Sequence, residues 1–309
     1  MHQLAVMGGV QESQGLEIMK FIYGQTPRRI TEVKLFKQRF NLAMIVRDLY
    51  LCGERRMKIS GAIALVTGAN RGLGLRFVEA LVEFGAAKIY ATARNIDTLM
   101  SLVERYPDLI IPLSLDVTQQ VQVDAAADAA TDVTLLLNNA GALDQRGLME
   151  AADLSGFEQE MAVNVFGLAR MCQAFAPIIT ANGGGAITNM LSVVSLTNFP
   201  PFGTYAATKA AAMSLTECLR FETRDKSIEV FGIYAGLIDT DMTDNIVGDK
   251  ASAREIARNT MLGMEASDIN FDADDRAKTV RPGLRNDPEG FTKEYWVRAA
   301  EFRVNHPLS

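Results

Sequence analysis

The chain has 309 residues, 48% hydrophobic and 22% charged, with a formal net charge of −6. That is enough apolar material for one large core, and the acidic balance offers no basic patch of the kind phosphate backbones demand, so nucleic acid is not an expected partner. Three cysteines without a CxxC pair and two histidines at opposite ends, His2 and His306, argue against a zinc site, a disulfide framework and a Ser-His-Asp triad.

Residues 1–56 carry nine Lys and Arg against five Asp and Glu, leaving 22 and 32 in residues 57–309. The charge changes sign at this boundary, and Met57 opens a segment that reads as a protein start. Two readings are open for 1–56: an N-terminal extension outside the fold, or an amphipathic arm around LFKQRFNLAMIVRDLYL that docks on a partner or a membrane face. The start of the chain lacks the basic and apolar regions of a secretory signal. No run reaches the roughly 18 apolar residues of a membrane span. A cytoplasmic protein with reduced thiols and no membrane partner is the expectation.

From residue 62 the pattern alternates. The run AIALVT at 62–67 suits a strand buried on both faces, and 73–84 has helical spacing ending at Gly85. Further strands are expected at 88–93, 109–115, 133–138, 185–191 and 228–235. Helices are expected at 96–105, 121–130, 157–180, 205–224 and near 252–264. Strands alternating with helices imply right-handed crossovers and a parallel sheet. The fold class is therefore α/β, a doubly wound parallel sheet of Rossmann type with helices on both faces. It would form a single domain over 57–309, preceded by the N-terminal extension. Residues 266–309 carry many charges and one tryptophan, Trp296, and give no clear pattern.

Between the first strand and the first helix lies Thr67-Gly68-Ala69-Asn70-Arg71-Gly72-Leu73-Gly74. Glycines at a helix N-terminus let backbone N–H groups approach a pyrophosphate, so Gly68, Asn70, Arg71, Gly72, Leu73 and Gly74 are candidate dinucleotide contacts. At the end of the second strand an acid would bind the ribose 2′-hydroxyl of NAD. The chain has Arg94 there instead, and Arg71 is a second cation, which favours NADP(H) over NAD(H). Asp116 and Val117 are placed to bound the adenine.

The fifth strand leads to Ser192, and Tyr205 and Lys209 follow at i and i+4 on one helix face. An ammonium beside a phenol is expected to lower the phenol's pKa, so that Tyr205 exchanges a proton with a substrate oxygen near neutral pH, with Ser192 holding that oxygen. A hydride would then pass between the substrate carbon and the nicotinamide.

With these pieces, the chain resembles the short-chain dehydrogenase/reductase family over roughly 60–245. The matching segments are the glycine turn, Asn138-Asn139-Ala140-Gly141, Asn164 within MAVNVFG, Ser192, Tyr205 and Lys209. The resemblance implies Tyr205 as acid/base, Lys209 also on the nicotinamide ribose, Ser192 orienting the carbonyl and Asn164 holding a water in a proton relay. It implies that Asn138, Ala140 and Gly141 shape the cofactor floor, and that Gly236 and Thr240 lie near the nicotinamide. It departs from the family at Ala235-Gly236, where Pro-Gly is usual, and a looser loop is expected there. The substrate walls would be 195–203 and 237–250, with Phe199, Phe202 and Met242 making an apolar face. No metal is expected. The resemblance also implies a homodimer or homotetramer.

The expected function is an NADP(H)-dependent oxidoreductase acting on a small-molecule carbonyl or alcohol. The alternatives are a non-catalytic NADP(H)-binding sensor or assembly protein, or an epimerase or dehydratase on the same scaffold.

Overall fold

The computed structural model describes residues 57–306. The arm expected within 1–56, with His2 and Cys52, lies outside the described residues.

Seven parallel strands form one sheet: β1 (Ile63–Val66), β2 (Lys88–Ala93), β3 (Ile110–Ser114), β4 (Leu135–Asn138), β5 (Gly185–Met190), β6 (Ile228–Tyr234) and a short β9 (Asn270–Asp272). Their order is β3-β2-β1-β4-β5-β6-β9. A two-residue pair, β7 (Ile238–Asp239) and β8 (Ala251–Ser252), stands apart from this sheet. The central strands read as unbroken apolar runs because helices cover both faces.

Helices α1 (Gly72–Glu83) and α7 (Ala253–Glu265) pack together on one face. Phe77, Leu81, Ile256 and Met261 are buried there against Ile89 and Leu137. The opposite face carries α3 (Gln120–Ala129), α5 (Leu168–Ala181) and α6 (Gly203–Thr223), and buries Val123, Phe175, Ile179 and Ala212 against Leu65 and Leu136. Each such Val, Leu, Ile, Phe or Met side chain contributes about 1.5–3 kcal/mol by leaving water.

The expected strands and helices between 62 and 264 are all present, with two refinements. The helix over 96–105 begins as a 3-10 turn (Ile96–Leu99) before α2 (Met100–Arg105). The helix over 157–180 is three pieces: α4 (Ser155–Met161), a π-helical turn (Ala162–Gly167) and α5. The wider turn shifts the phase of the side chains, and it brings Asn164 inward to 2% exposure. Gly167 within it lies so close to Val117 that a Cβ would stand 2.6 Å from the Val117 Cγ2.

The segment after 266 is ordered into β9, α8 (Asp275–Asn286) and α9 (Pro288–Asn305). Only Tyr295 and Ala299 of α9 are buried. A helix with so few inward residues shows no apolar stripe, which is why the sequence pattern gave no sign of it.

The strand order reverses between β1 and β4, so the connections leave in opposite directions and a crevice opens at the carboxyl ends of the strands. Thr67 pins this point. Its Oγ1 accepts the N–H groups of Asn139 and Ala140, both at 2.9 Å, and the Asn139 side chain donates to the Thr67 carbonyl at 2.9 Å. Gly68 has φ +66°, a left-handed conformation that favours glycine. A Cβ on Gly74 would stand 2.0 Å from the Gly68 carbonyl oxygen, so α1 can enter the turn this closely only with glycine there.

Candidate active site

A cavity of about 1400 Å³ occupies the crevice. Its wall includes Gly68, Asn70, Arg71, Gly72, Leu73, Gly74, Arg94, Asp116, Val117, Ala140, Gly141, Ser192, Tyr205, Lys209, Gly236 and Thr240. Asn138 and Asn164 do not reach it. They line a second cavity of about 10 Å³ behind it, together with Thr67, Met190 and Lys209. That is about the space of a single water.

At one end of the main cavity, Arg71 stands at the N-cap of α1, and its side chain makes no capping bond. The first amides of the helix therefore point at the crevice unshared, a site built for an anion. Arg94, exposed at the end of β2, enters no ion pair among the described residues. Arg71 does: its Nη1 lies 3.0 Å from Asp241 Oδ2, with both side chains more than half exposed. An exposed pair of this kind is worth little and opens readily. Asp116 accepts from the backbone N–H and hydroxyl of Thr118 at 2.9 and 2.7 Å, which fixes the turn beside Val117. The amides, the free guanidinium and the absence of an acid at the end of β2 suit a phosphorylated dinucleotide.

At the other end, Lys209 is 5% exposed, and its Nζ donates to the Met190 carbonyl at 2.7 Å. Burial lowers its pKa to about 8. The ammonium lies over the Tyr205 ring, 5.6 Å from its centre. Tyr205 is half-buried in the cavity wall. Burial pushes its hydroxyl above the usual phenol value, and the Glu160 carboxylate pushes it further. This corrects the expectation of a phenol made more acidic by its neighbour. The ammonium sits over the ring face, and its own pKa has fallen, so at alkaline pH it is neutral where it would be needed.

Ser192 ends β5. Its Oγ donates to the Ala235 carbonyl at 3.3 Å and accepts from Val194 N at 3.4 Å. Asn164 uses its whole side chain internally: Oδ1 accepts from Ala142 N at 2.8 Å, and Nδ2 donates to the Ala142 carbonyl and Thr208 Oγ1, both at 2.9 Å. Asn138 Nδ2 donates to Asn189 Oδ1 at 2.9 Å and contacts the Cys172 sulfur, while its Oδ1 is buried without a partner. Asn189 continues the chain to Thr216 on α6 at 2.9 Å.

Glu160 escaped the sequence reading. It is 1% exposed, accepts from Asp144 N at 2.7 Å, and keeps Oε2 unpartnered. Its own pKa is raised by burial. Asp274 was missed as well. It caps α8 by accepting from Ala277 N and holds Gly236 N, both at 2.7 Å, so the loop expected to slacken without its proline is braced from the next element.

The C-terminal helix is the third addition. Phe302 of α9 lies 5.6 Å from Phe199 and 5.2 Å from Phe202, ring centre to ring centre. Phe199, Phe202, Met242, Tyr295 and Phe302 all line the cavity. Among the described residues no cluster of three or more His, Cys, Asp or Glu is placed to hold a metal. One continuous helical stretch, Ser155–Ala181, is long and apolar enough to cross a membrane, and half of its apolar window is buried within the fold.

Fold and crevice together define a Rossmann-type nucleotide-binding oxidoreductase. The family model for short chain dehydrogenase matches residues 62–251. The chain is 30% identical over 229 residues to a sorbitol dehydrogenase of Cereibacter sphaeroides, covering 72% of this chain and 89% of that one. It superposes on a short chain dehydrogenase from Burkholderia cenocepacia in complex with NADP at TM-score 0.74 and 36% identity, covering 77% of this chain and 99% of that one. A short chain dehydrogenase/reductase from Burkholderia phymatum in complex with NAD matches at TM-score 0.66 and 25% identity, covering 72% and 93%. The chain belongs to the short-chain dehydrogenase/reductase family, oxidoreductases that act on alcohol and carbonyl groups.

The Glu160 charge predicts a measurable effect. In Glu160→Gln the Tyr205 hydroxyl loses a neighbouring anion, so the ascending limb of kcat/KM for alcohol oxidation moves to lower pH. A profile identical to wild type would remove Glu160 from the site's electrostatics.

Proposed function

We propose that the protein is an NADP(H)-dependent reductase or dehydrogenase in which Tyr205 is the acid/base, assisted by Lys209 and Ser192. One observation carries the reading: a phenol, a buried ammonium and a serine hydroxyl line the same end of a cavity whose other end is a glycine turn at a helix N-terminus. In reduction Tyr205 gives its proton to the substrate oxygen, and in oxidation it takes the proton back. A raised hydroxyl pKa suits the donor role, because the proton is present across the neutral range. Lys209 supports the negative charge that forms on the phenol, and Ser192 holds the substrate oxygen. When bound, the dinucleotide supplies or accepts the hydride.

The residues fit this cofactor. The first amides of α1 with Gly68, Gly72 and Gly74 would hold the pyrophosphate, and Asp116 and Val117 would flank the adenine. Arg94, free of an acid, would take a 2′-phosphate. Thr240, whose methyl lies 3.4 Å from where a Gly72 Cβ would be, would stand with Gly236 near the nicotinamide. The water-sized cavity shared by Asn164 and Lys209 supports a water between them, the role the family resemblance implies for Asn164. Residues 57–309 would then form the catalytic domain, with 1–56 as an extension to it.

A homo-oligomer built on α5 and α6 is the accompanying reading. Phe166 in the π-helical turn before α5 is 53% exposed, and Leu215 and Phe221 on α6 are 39% and 59% exposed, apolar side chains that a second copy would cover.

Turnover of a ketone and aldehyde panel with NADPH tests the chemistry. Tyr205→Phe is expected to lose about 10²–10⁴-fold in kcat, and wild-type kcat/KM for reduction is expected to fall as pH rises through about 8, where Lys209 loses its charge. Undiminished turnover by the phenylalanine variant would defeat the mechanism. Arg94→Ala is expected to raise the KM for NADPH roughly tenfold, the loss of one charge-assisted contact, and to leave that for NADH nearly unchanged. Equal effects on the two cofactors would reassign Arg94. For the assembly, sizing by light scattering should give a dimer or tetramer, and Leu215→Asp with Phe166→Asp should shift it toward monomer. A wild-type monomer at micromolar concentration would count against the oligomer.

A further inference from the structure

We infer that Arg276 and Tyr295 form a carboxylate-binding subsite at the substrate end of the cavity, and that the substrate is an oxo acid or hydroxy acid rather than a neutral carbonyl compound. The inference deepens the hydride-transfer reading and rests on it.

Both residues lie in the C-terminal segment and both line the cavity. Arg276 stands in the first turn of α8, half-buried, with its guanidinium 5.0 Å from the centre of the Tyr295 ring. It enters no ion pair among the described residues, and its guanidinium lies near enough to the Tyr295 hydroxyl to act on it electrostatically. Its nearest acids are already engaged. Asp274 accepts from Gly236 N and Ala277 N through its two oxygens, and Glu294 is paired with Arg298. Tyr295 is 3% exposed, and its hydroxyl, which burial pushes above the usual phenol value and the Arg276 guanidinium draws back, makes no hydrogen bond of good geometry. A buried hydroxyl without a well-aligned partner is costly, and the guanidinium beside it has no counter-ion. Such a pair is stabilised by a ligand that is negatively charged and accepts hydrogen bonds. A carboxylate meets both conditions: its two oxygens match the planar fork of the guanidinium and leave a lone pair for the phenol.

Position separates this subsite from the adenine end of the nucleotide. The stem of Arg276 abuts Gly236, where an added Cβ would meet its Cβ and Cγ at 3.0 Å. The preceding residue, Ala235, holds Ser192 Oγ and Val193 N through its carbonyl, at 3.3 and 3.0 Å. Tyr295 meets Phe199 edge to face, with ring centres 6.4 Å apart. The pair therefore sits beside the serine and the apolar wall, away from Arg94 and Asp116. A substrate would place its carboxylate on Arg276 and Tyr295, its carbonyl toward Ser192 and Tyr205, and its chain on Phe199, Phe202 and Phe302.

The test is a matched panel of short 2-oxo and 3-oxo acids and their methyl esters, assayed with NADPH on the full chain. Wild type is expected to prefer the acid of each reactive pair. Arg276→Met, which keeps the stem over Gly236, should raise the KM for the acid roughly tenfold or more while leaving the ester and NADPH within about twofold. Arg276→Lys should restore part of the preference. Tyr295→Phe keeps the ring and removes only the hydroxyl, and should weaken the acid by a smaller factor, which covers the case in which the methionine variant does not fold. Calorimetric titration of the same acids reads the subsite without turnover, so failure of hydride transfer and failure of the subsite are told apart. Equal handling of acid and ester by wild type, an unchanged preference in Arg276→Met, or no acid binding by calorimetry would each overturn the proposal.

Discussion

The cleft depends on one buried ammonium. Lys209 reaches from α6 across to the end of β5 and donates a hydrogen bond to the Met190 carbonyl at 2.7 Å. An isolated charge in this position is expensive, and the fall of its pKa to about 8 measures how much of its hydration it has lost. The hydrogen bond to a strand carbonyl, free because the strand ends there, lets the charge remain. It also fixes α6 against the sheet at the turn that carries Tyr205. The position of the phenol thus follows from the need to satisfy its neighbour.

Polar groups beneath the cleft reinforce the same placement. Thr208, one residue before Lys209, accepts from Asn164 and donates to the Tyr205 carbonyl at 2.8 Å. Asn189 links Asn138 on β4 to Thr216 two turns further along α6. These bonds lie where few apolar side chains could substitute, because the strand ends leave backbone and amide groups that must be paired. Asn164 belongs to this scaffold by its side chain, and the π-helical turn is the local distortion that lets it serve there.

Much of this architecture was written in local pattern. The central strands were legible because burial on both faces forces unbroken apolar runs, and the glycine turn because close backbone approach at Gly74 admits no side chain. That Tyr205 and Lys209 lie together was legible from helical spacing. Their electrostatics were not, because the acidity of the phenol depends on burial and on Glu160, which reaches it through the fold from α4. Asp274 and Tyr295 were hidden for a related reason: β9 has three residues, α9 buries two, and neither produces a periodic signal. The bracing of Gly236 by Asp274 joins residues that have no local relation in sequence.

The same distant segment also holds the substrate end in place. Arg303 of α9 holds Glu150 and the carbonyls of Gln145 and Pro201, the latter two at 3.2 and 3.1 Å, while His306 accepts from Val247 N at 2.9 Å. One helix therefore ties down both walls, 195–203 and 237–250. Its Tyr295 and Phe302 rings also line the cavity that Ser192 lines. Arg94 at the nucleotide end is exposed, so its attraction for a phosphate is screened by solvent and salt. Arg276 is half-buried beside the Tyr295 ring, where a charge pair is less screened. The two arginines divide the cleft into a solvated end suited to a polyanionic nucleotide and a less exposed end able to discriminate by a single charge.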